Sequence, residues 1–98
     1  MASETTAATG IQIEYEALTW TEGNSVVAHA WPLDVASSGD NEQHALKMLD
    51  EAVRGFIEVT KEMGTLEDIL AESGYRLENG RWISPAVKHT LATATLGA

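Results

Sequence analysis

Residues 38–63 read Ser38-Gly39-Asp40-Asn41-Glu42-Gln43-His44-Ala45-Leu46-Lys47-Met48-Leu49-Asp50-Glu51-Ala52-Val53-Arg54-Gly55-Phe56-Ile57-Glu58-Val59-Thr60-Lys61-Glu62-Met63, and this stretch decides the fold. Asp40 or Asn41 can cap free backbone amides, and Gly64 can take the left-handed backbone that ends a helix. Between them, helical spacing gathers Ala45, Leu49, Ala52, Val53, Phe56, Thr60 and Met63 into one stripe, with Lys47, Asp50, Glu51, Arg54, Glu58 and Lys61 opposite. The pattern predicts a long amphipathic helix over 41–63. Met48 and Val59 flank the stripe on one side and Leu46 and Ile57 on the other, widening the apolar arc to roughly half the circumference, against an ordinary ~100°. One sheet face does not cover so wide an arc. The excess is expected to pack under the following segment or against a second copy of the chain, which makes Leu46, Met48, Ile57 and Val59 candidates for a homo-oligomer interface.

Upstream, residues 11–20 alternate, with Ile11, Ile13, Tyr15 and Ala17 on one face and Gln12, Glu14 and Glu16 on the other, as in a half-buried strand. Thr21-Glu22-Gly23-Asn24 supplies turn chemistry, and residues 25–31 form a second strand, so a hairpin is expected. Pro32 cannot donate to a ladder and marks a strand end; residues 35–37 fit a short third strand after it. Downstream, Thr65-Leu66-Glu67-Asp68 matches a Thr-x-x-acid helix start, predicting a short helix over 66–73 that ends at Gly74. Asn79-Gly80 between two alternating stretches predicts a final hairpin within 75–84. Pro85 breaks it, and the Ala- and Thr-rich remainder is expected to be a loose tail that a partner chain orders. The expected fold class is thus α+β, an antiparallel sheet packed on one long helix in the order β-β-β-α, then a short helix and a β-hairpin. It forms a single domain over 11–84 between a flexible start at 1–10 and a tail at 85–98.

Ninety-eight residues with 44% hydrophobic content are enough for one core and too few for two. The absence of cysteine excludes disulfides and thiolate metal sites and fits a reducing, cytoplasmic setting. Residues 1–10 carry no base and no apolar run, so neither a secretory signal nor a membrane span is read there. Fifteen acids against six bases give a formal charge of −9, which repels phosphate backbones and argues against direct nucleic-acid binding. Every acid before Lys47 lies in a stretch without Lys or Arg. A basic protein partner should therefore meet the N-terminal half first, and Glu14, Glu16, Trp31, Asp34 and Asp40 are the candidate contact residues. An acidic surface also serves solubility, with no partner at all.

Catalytic chemistry finds little support. His29, His44 and His89 share no ligand spacing and read as ordinary strand, helix-start and tail residues. Glu14 and Glu16 stand about 7 Å apart on one strand face, a spacing two catalytic carboxylates can use, yet alternation places them toward solvent without a pocket. With Asp34 they are the only set imaginable for a metal-dependent nuclease. Ser37-Ser38-Gly39-Asp40 lacks the lysine of a phosphate loop, and Asp40 and Glu42 oppose an anion there. Trp20, Trp31 and Trp82 lack interleaved bases and suit core or interface packing. No catalytic, cofactor-binding or metal-ligating residue is expected, and the chain does not read as an enzyme.

Taken together, Trp31-Pro32-Leu33-Asp34-Val35-Ala36-Ser37-Ser38-Gly39-Asp40-Asn41, followed by Ala45, Leu49, Glu51-Ala52-Val53 and Phe56, resemble the HicB family of antitoxins over residues 11–83. The family typically shows two strands, a Pro-x-Leu-x-Gly-like stretch, a Ser/Thr-x-Gly-Asp-Thr-like helix entry and a helix with Ala, Leu and Glu-Ala at these offsets. The resemblance implies a β-β-β-α-β domain like part of the RNase H fold. It also implies that the chain binds a small, basic, RNA-cleaving HicA-like toxin through its sheet and helix surface, masks the toxin's catalytic histidine, and has no catalytic residues itself. The family's glycine after Pro-x-Leu is absent, Asp34-Val35 following Leu33 directly. Only residues 85–98 stand where many relatives carry a DNA-binding domain. The helix and hairpin of residues 66–84 exceed the usual single closing strand. An orphan homo-oligomeric scaffold or regulator without a toxin is the alternative that these departures and the wide apolar arc suggest.

Overall fold

The computed structural model describes residues 10–97. The expected flexible start at 1–10 lies, apart from Gly10, outside them. The chain is α+β, running β1 (Gln12–Ile13), β2 (Glu16–Glu22), β3 (Ser25–Trp31), β4 (Val35–Gly39), α1 (Glu42–Met63), α2 (Leu66–Glu72), β5 (Arg76–Glu78) and β6 (Arg81–Ile83). β2, β3 and β4 form an antiparallel sheet in that order, and the other three strands form a second sheet ordered β1-β6-β5. In the second sheet β1 runs parallel to β6, with Ile13 opposite Trp82.

The sheets meet in what alternation alone presents as one strand. Residues 11–20 were expected to pair throughout as the first arm of a hairpin, but hydrogen bonding changes partner at Glu14-Tyr15. The Glu14 amide donates to the Trp82 carbonyl at 3.0 Å, while the Tyr75 hydroxyl donates to the Glu14 carbonyl. The Glu14 carboxylate accepts from the Ser84 amide at 3.2 Å and lies 3.3 Å from Arg81. Bound by the closing segment, Glu14 turns the chain from one sheet into the other. The expected final hairpin is consequently joined to the start of the chain. Asn79 and Gly80 both adopt positive φ, 51° and 79°, as a tight two-residue turn requires.

Helix α1 is capped by the Asn41 side chain, which accepts from the His44 amide at 2.8 Å, and ends at Gly64 with φ 76°. It lies on β3 and β4, burying Ala45, Leu49 and Val53 in one cluster with Ala28, Ala30 and Leu33, and Thr60 further along the same helix. Thr60, the buried polar residue of this face, donates its hydroxyl to the Phe56 carbonyl at 2.8 Å, so no lone donor is left in the core. Leu66 and Leu70 of α2 and Tyr75 complete the core. Met63, expected inside, is the last residue of the helix and is 68% exposed. Thr65 makes no side-chain cap for α2; its hydroxyl instead reaches back to the Thr60 carbonyl at 3.4 Å, so the expected capping box does not form.

Tyr75 ties the core to the strand switch. Burial, and secondarily the negative charge of Glu14, push its phenol up to about 12, from an ordinary value of 10. The folded state therefore holds this proton more tightly than the unfolded chain. Stability from that source is intact below pH 10 and is lost as pH rises toward 12, by about 2–3 kcal/mol if the shift is fully expressed. Tyr75→Phe is expected to lower stability at pH 7 by about 1 kcal/mol through the lost hydrogen bond, and to flatten the alkaline decline relative to the unmodified chain. Urea titrations at pH 7, 10 and 11.5 check this, and an unchanged alkaline slope would refute the role.

Candidate functional site

Pairing register divides the side chains of the three-stranded sheet. Ala17↔Ala30 and Thr19↔Ala28 stand on the helix side, whereas Glu16↔Trp31, Leu18↔His29 and Trp20↔Val27 stand on the side away from it. On β4, Ala36 opposite His29 and Ser38 opposite Val27 continue that outer face. Strand residues Leu18, Trp20, Val27 and Trp31 thus place an apolar patch where solvent would ordinarily select polar groups, with Trp20 44% and Trp31 36% exposed.

Hydrogen bonds order the patch. The Trp20 indole Nε1 donates to Glu22 Oε2 at 2.7 Å, and its ring lies 6.5 Å from the His29 ring at 53°. His29 Nε2 is 2.8 Å from Asp34 Oδ1. Asp34 reaches it because the β3–β4 turn is closed by its own amide, which donates to the Ala30 carbonyl at 2.9 Å. The Asp34 backbone has φ 62°, in the region that favours glycine but which Asp and Asn also adopt. The result is an aromatic strip with Glu22 at one end and Asp34 and Glu16 at the other. Residues 86–89 cross beside it, and with Glu16, Leu18 and Trp31 they line a shallow groove of about 410 Å³.

Of the five contact residues chosen from sequence, the fold brings Glu16, Trp31 and Asp34 together here. Glu14 lies between the two sheets, with its carboxylate engaged by Ser84 and Arg81, so the expected solvent-facing pair with Glu16 is not formed. Asp40 follows Gly39, which pairs with Val26 at the opposite end of β3 from Trp31, roughly 17 Å away at the rise of a strand. There its amide donates to His44 Nδ1 at 3.0 Å, leaving that nitrogen a lone-pair acceptor; the 3.8 Å approach of the Asp40 carboxylate to the same atom is accordingly not an ion pair. The chain matches no known protein family, no characterised protein and no solved structure.

Leu18, Trp20 and His29 were missed as site residues. The signal was present, since extending the Gln12-Glu14-Glu16 alternation places Leu18 and Trp20 on the same face as Glu16. His29 and Asp34 make a carboxylate–imidazole pair, an arrangement that orients a general base where a nucleophile adjoins it, and the outer-face positions beside His29 are Leu18 and Ala36. Among the described residues no three His, Asp or Glu side chains gather to hold a metal ion, so Glu14, Glu16 and Asp34 do not form the set a metal-dependent nuclease needs. No helix among them is long and apolar enough to cross a membrane.

The four candidate interface residues of α1 divide by environment. Leu46 and Ile57 pack against the core of their own chain, Met48 is half-buried, and Val59 is 55% exposed. On the other flank the Asp50 carboxylate receives the Arg54 guanidinium at 2.7 Å and lies 3.5 Å from the Tyr15 hydroxyl. The Tyr15 phenol is raised above its usual range, first by burial and then by Asp50.

Proposed function

We propose that the chain is a HicB-like, antitoxin-type protein-binding module that receives a small, basic, RNA-cleaving protein on the outer face of its three-stranded sheet. The observation carrying this reading is the aromatic strip Trp20-His29-Trp31 bordered by Glu16, Glu22 and Asp34. Large, flat aromatic anchors inside a charged rim are what a protein interface uses for affinity and orientation. Acids at the rim attract a cationic partner and repel RNA. The order of three antiparallel strands followed by a long helix is compatible with the β-β-β-α part of a β-β-β-α-β domain, while β6 closes against β1 in a separate sheet.

Co-expression with a small basic protein encoded in the adjacent reading frame is expected to yield a complex that suppresses the partner's RNA cleavage and weakens as salt is raised. Trp31→Ala is expected to cost about 2 kcal/mol of binding, roughly thirtyfold in Kd. Asp34→Gly removes the carboxylate while keeping a residue suited to the turn, and should slow association more than it hastens dissociation. If no basic neighbour exists, or Trp31→Ala binds as tightly as the unmodified chain, the proposal fails.

A further inference from the structure

β2 is an outer strand. β3 pairs along one side of it, and among the described residues no strand lies on the other. Its seven residues, Glu-Ala-Leu-Thr-Trp-Thr-Glu, contain neither proline nor glycine, so a row of backbone donors and acceptors remains available for pairing. The C-terminal arm has the complementary properties. Residues 84–97 form no helix or strand, and Leu91 and Leu96 are 100% and 95% exposed. The molecule measures 59 × 30 × 27 Å with a radius of gyration of 16.3 Å, against about 13 Å for a compact chain of this length. Residues 90–96, Thr-Leu-Ala-Thr-Ala-Thr-Leu, match β2 in length and are rich in β-branched threonine. From residue 86 to residue 97 the arm carries Lys88 and His89 and no acid, whereas β2 begins and ends with glutamate.

From these features we infer that two copies of the chain exchange arms, residues 90–96 of each adding as a strand along the free edge of β2 in the other. In its own chain the arm stands away from this edge, with Leu91 and Leu96 exposed, so the edge is open to a second copy. A two-fold pair closes, so both arms and both β2 edges are used. The inference concerns the strand edge and does not depend on a toxin occupying the outer face.

Size-exclusion chromatography with light scattering on the chain alone, at high micromolar concentration, is expected to give twice the 10.5 kDa chain mass. Truncation after Pro85, and separately the double variant Leu91→Asp/Leu96→Asp, should give monomers with unchanged circular dichroism, since both leucines are exposed in the single chain. The chain has no cysteine, so Thr19→Cys and Thr93→Cys chains can be mixed under mild oxidation. These are the middle residues of the two runs and meet whichever way the arm points, so a disulfide-linked mixed dimer is expected. A monomeric chain, or a dimer that survives Leu91→Asp/Leu96→Asp, would overturn the inference. So would a dimer dissociated by Val59→Asp but not by the arm variants.

Discussion

Gly39→Ala is expected to destabilise the domain by about 3 kcal/mol, near the top of the usual range for forcing an extra methyl into a packed site. Gly39 is the last residue of β4, and a methyl built on it would lie 2.6 Å from the Ala45 amide nitrogen and 2.8 Å from the His44 carbonyl carbon. These are backbone atoms in the first turn of α1, held by the Asn41 cap and by the Ala45 amide, which donates to the Asn41 carbonyl at 2.9 Å. The His44 side chain also comes within 2.8 Å, but its rotation would not relieve the two backbone contacts. The strand end and the helix start must separate, which weakens the seat of the whole helix. Urea unfolding followed by circular dichroism reads the change as a lower midpoint at constant slope. A loss below about 1 kcal/mol would mean that the helix entry slides freely on the sheet, contrary to the packing described.

Leu49→Ala should cost about 2–5 kcal/mol, with the exact value set by how far the surroundings collapse into the vacated space. Leu49 is fully buried, at the centre of the α1 face that covers β3 and β4. Domains of this size have total stabilities of roughly 5–15 kcal/mol, so the loss is a large fraction of the whole. Differential scanning calorimetry should show the melting temperature falling by about 12–24 °C for a 3 kcal/mol loss. Val59→Ala on the exposed flank of the same helix is the matched control, with an expected change within about 0.5 kcal/mol. Equal losses from the two variants would contradict the assignment of the buried face.

The helix and its partner strands are legible in the sequence because their signals are local. Ala45, Leu49 and Val53 recur at helical spacing, Asn41 and Gly64 punctuate the ends, and Asn79-Gly80 can hardly be anything but a tight turn. The strand switch at Glu14 is not legible in the same way. Period-two alternation records an extended backbone and leaves the pairing partner unspecified, and here the partner of Ile13 is Trp82, far along the chain. The candidate site was legible in part for a related reason. Glu16 and Trp31 face each other across a predicted hairpin, so the eventual pairing follows from its register. His29 and Asp34 meet only because a non-glycine residue takes positive φ, which composition does not announce. Asp40 looked like part of the same acidic surface because linear proximity to Asp34 says nothing about the length of the strand between them.

The location of Glu14 also orders events in time. The three-stranded sheet and its covering helix lie wholly within residues 16–63, whereas the contacts that hold Glu14 come from Tyr75, Trp82 and Ser84. Contacts between residues close in sequence form early, and a chain leaving the ribosome presents its N-terminal part first. The strands that carry the aromatic face can therefore pair before the closing segment brings in Tyr75 and fixes the turn at Glu14.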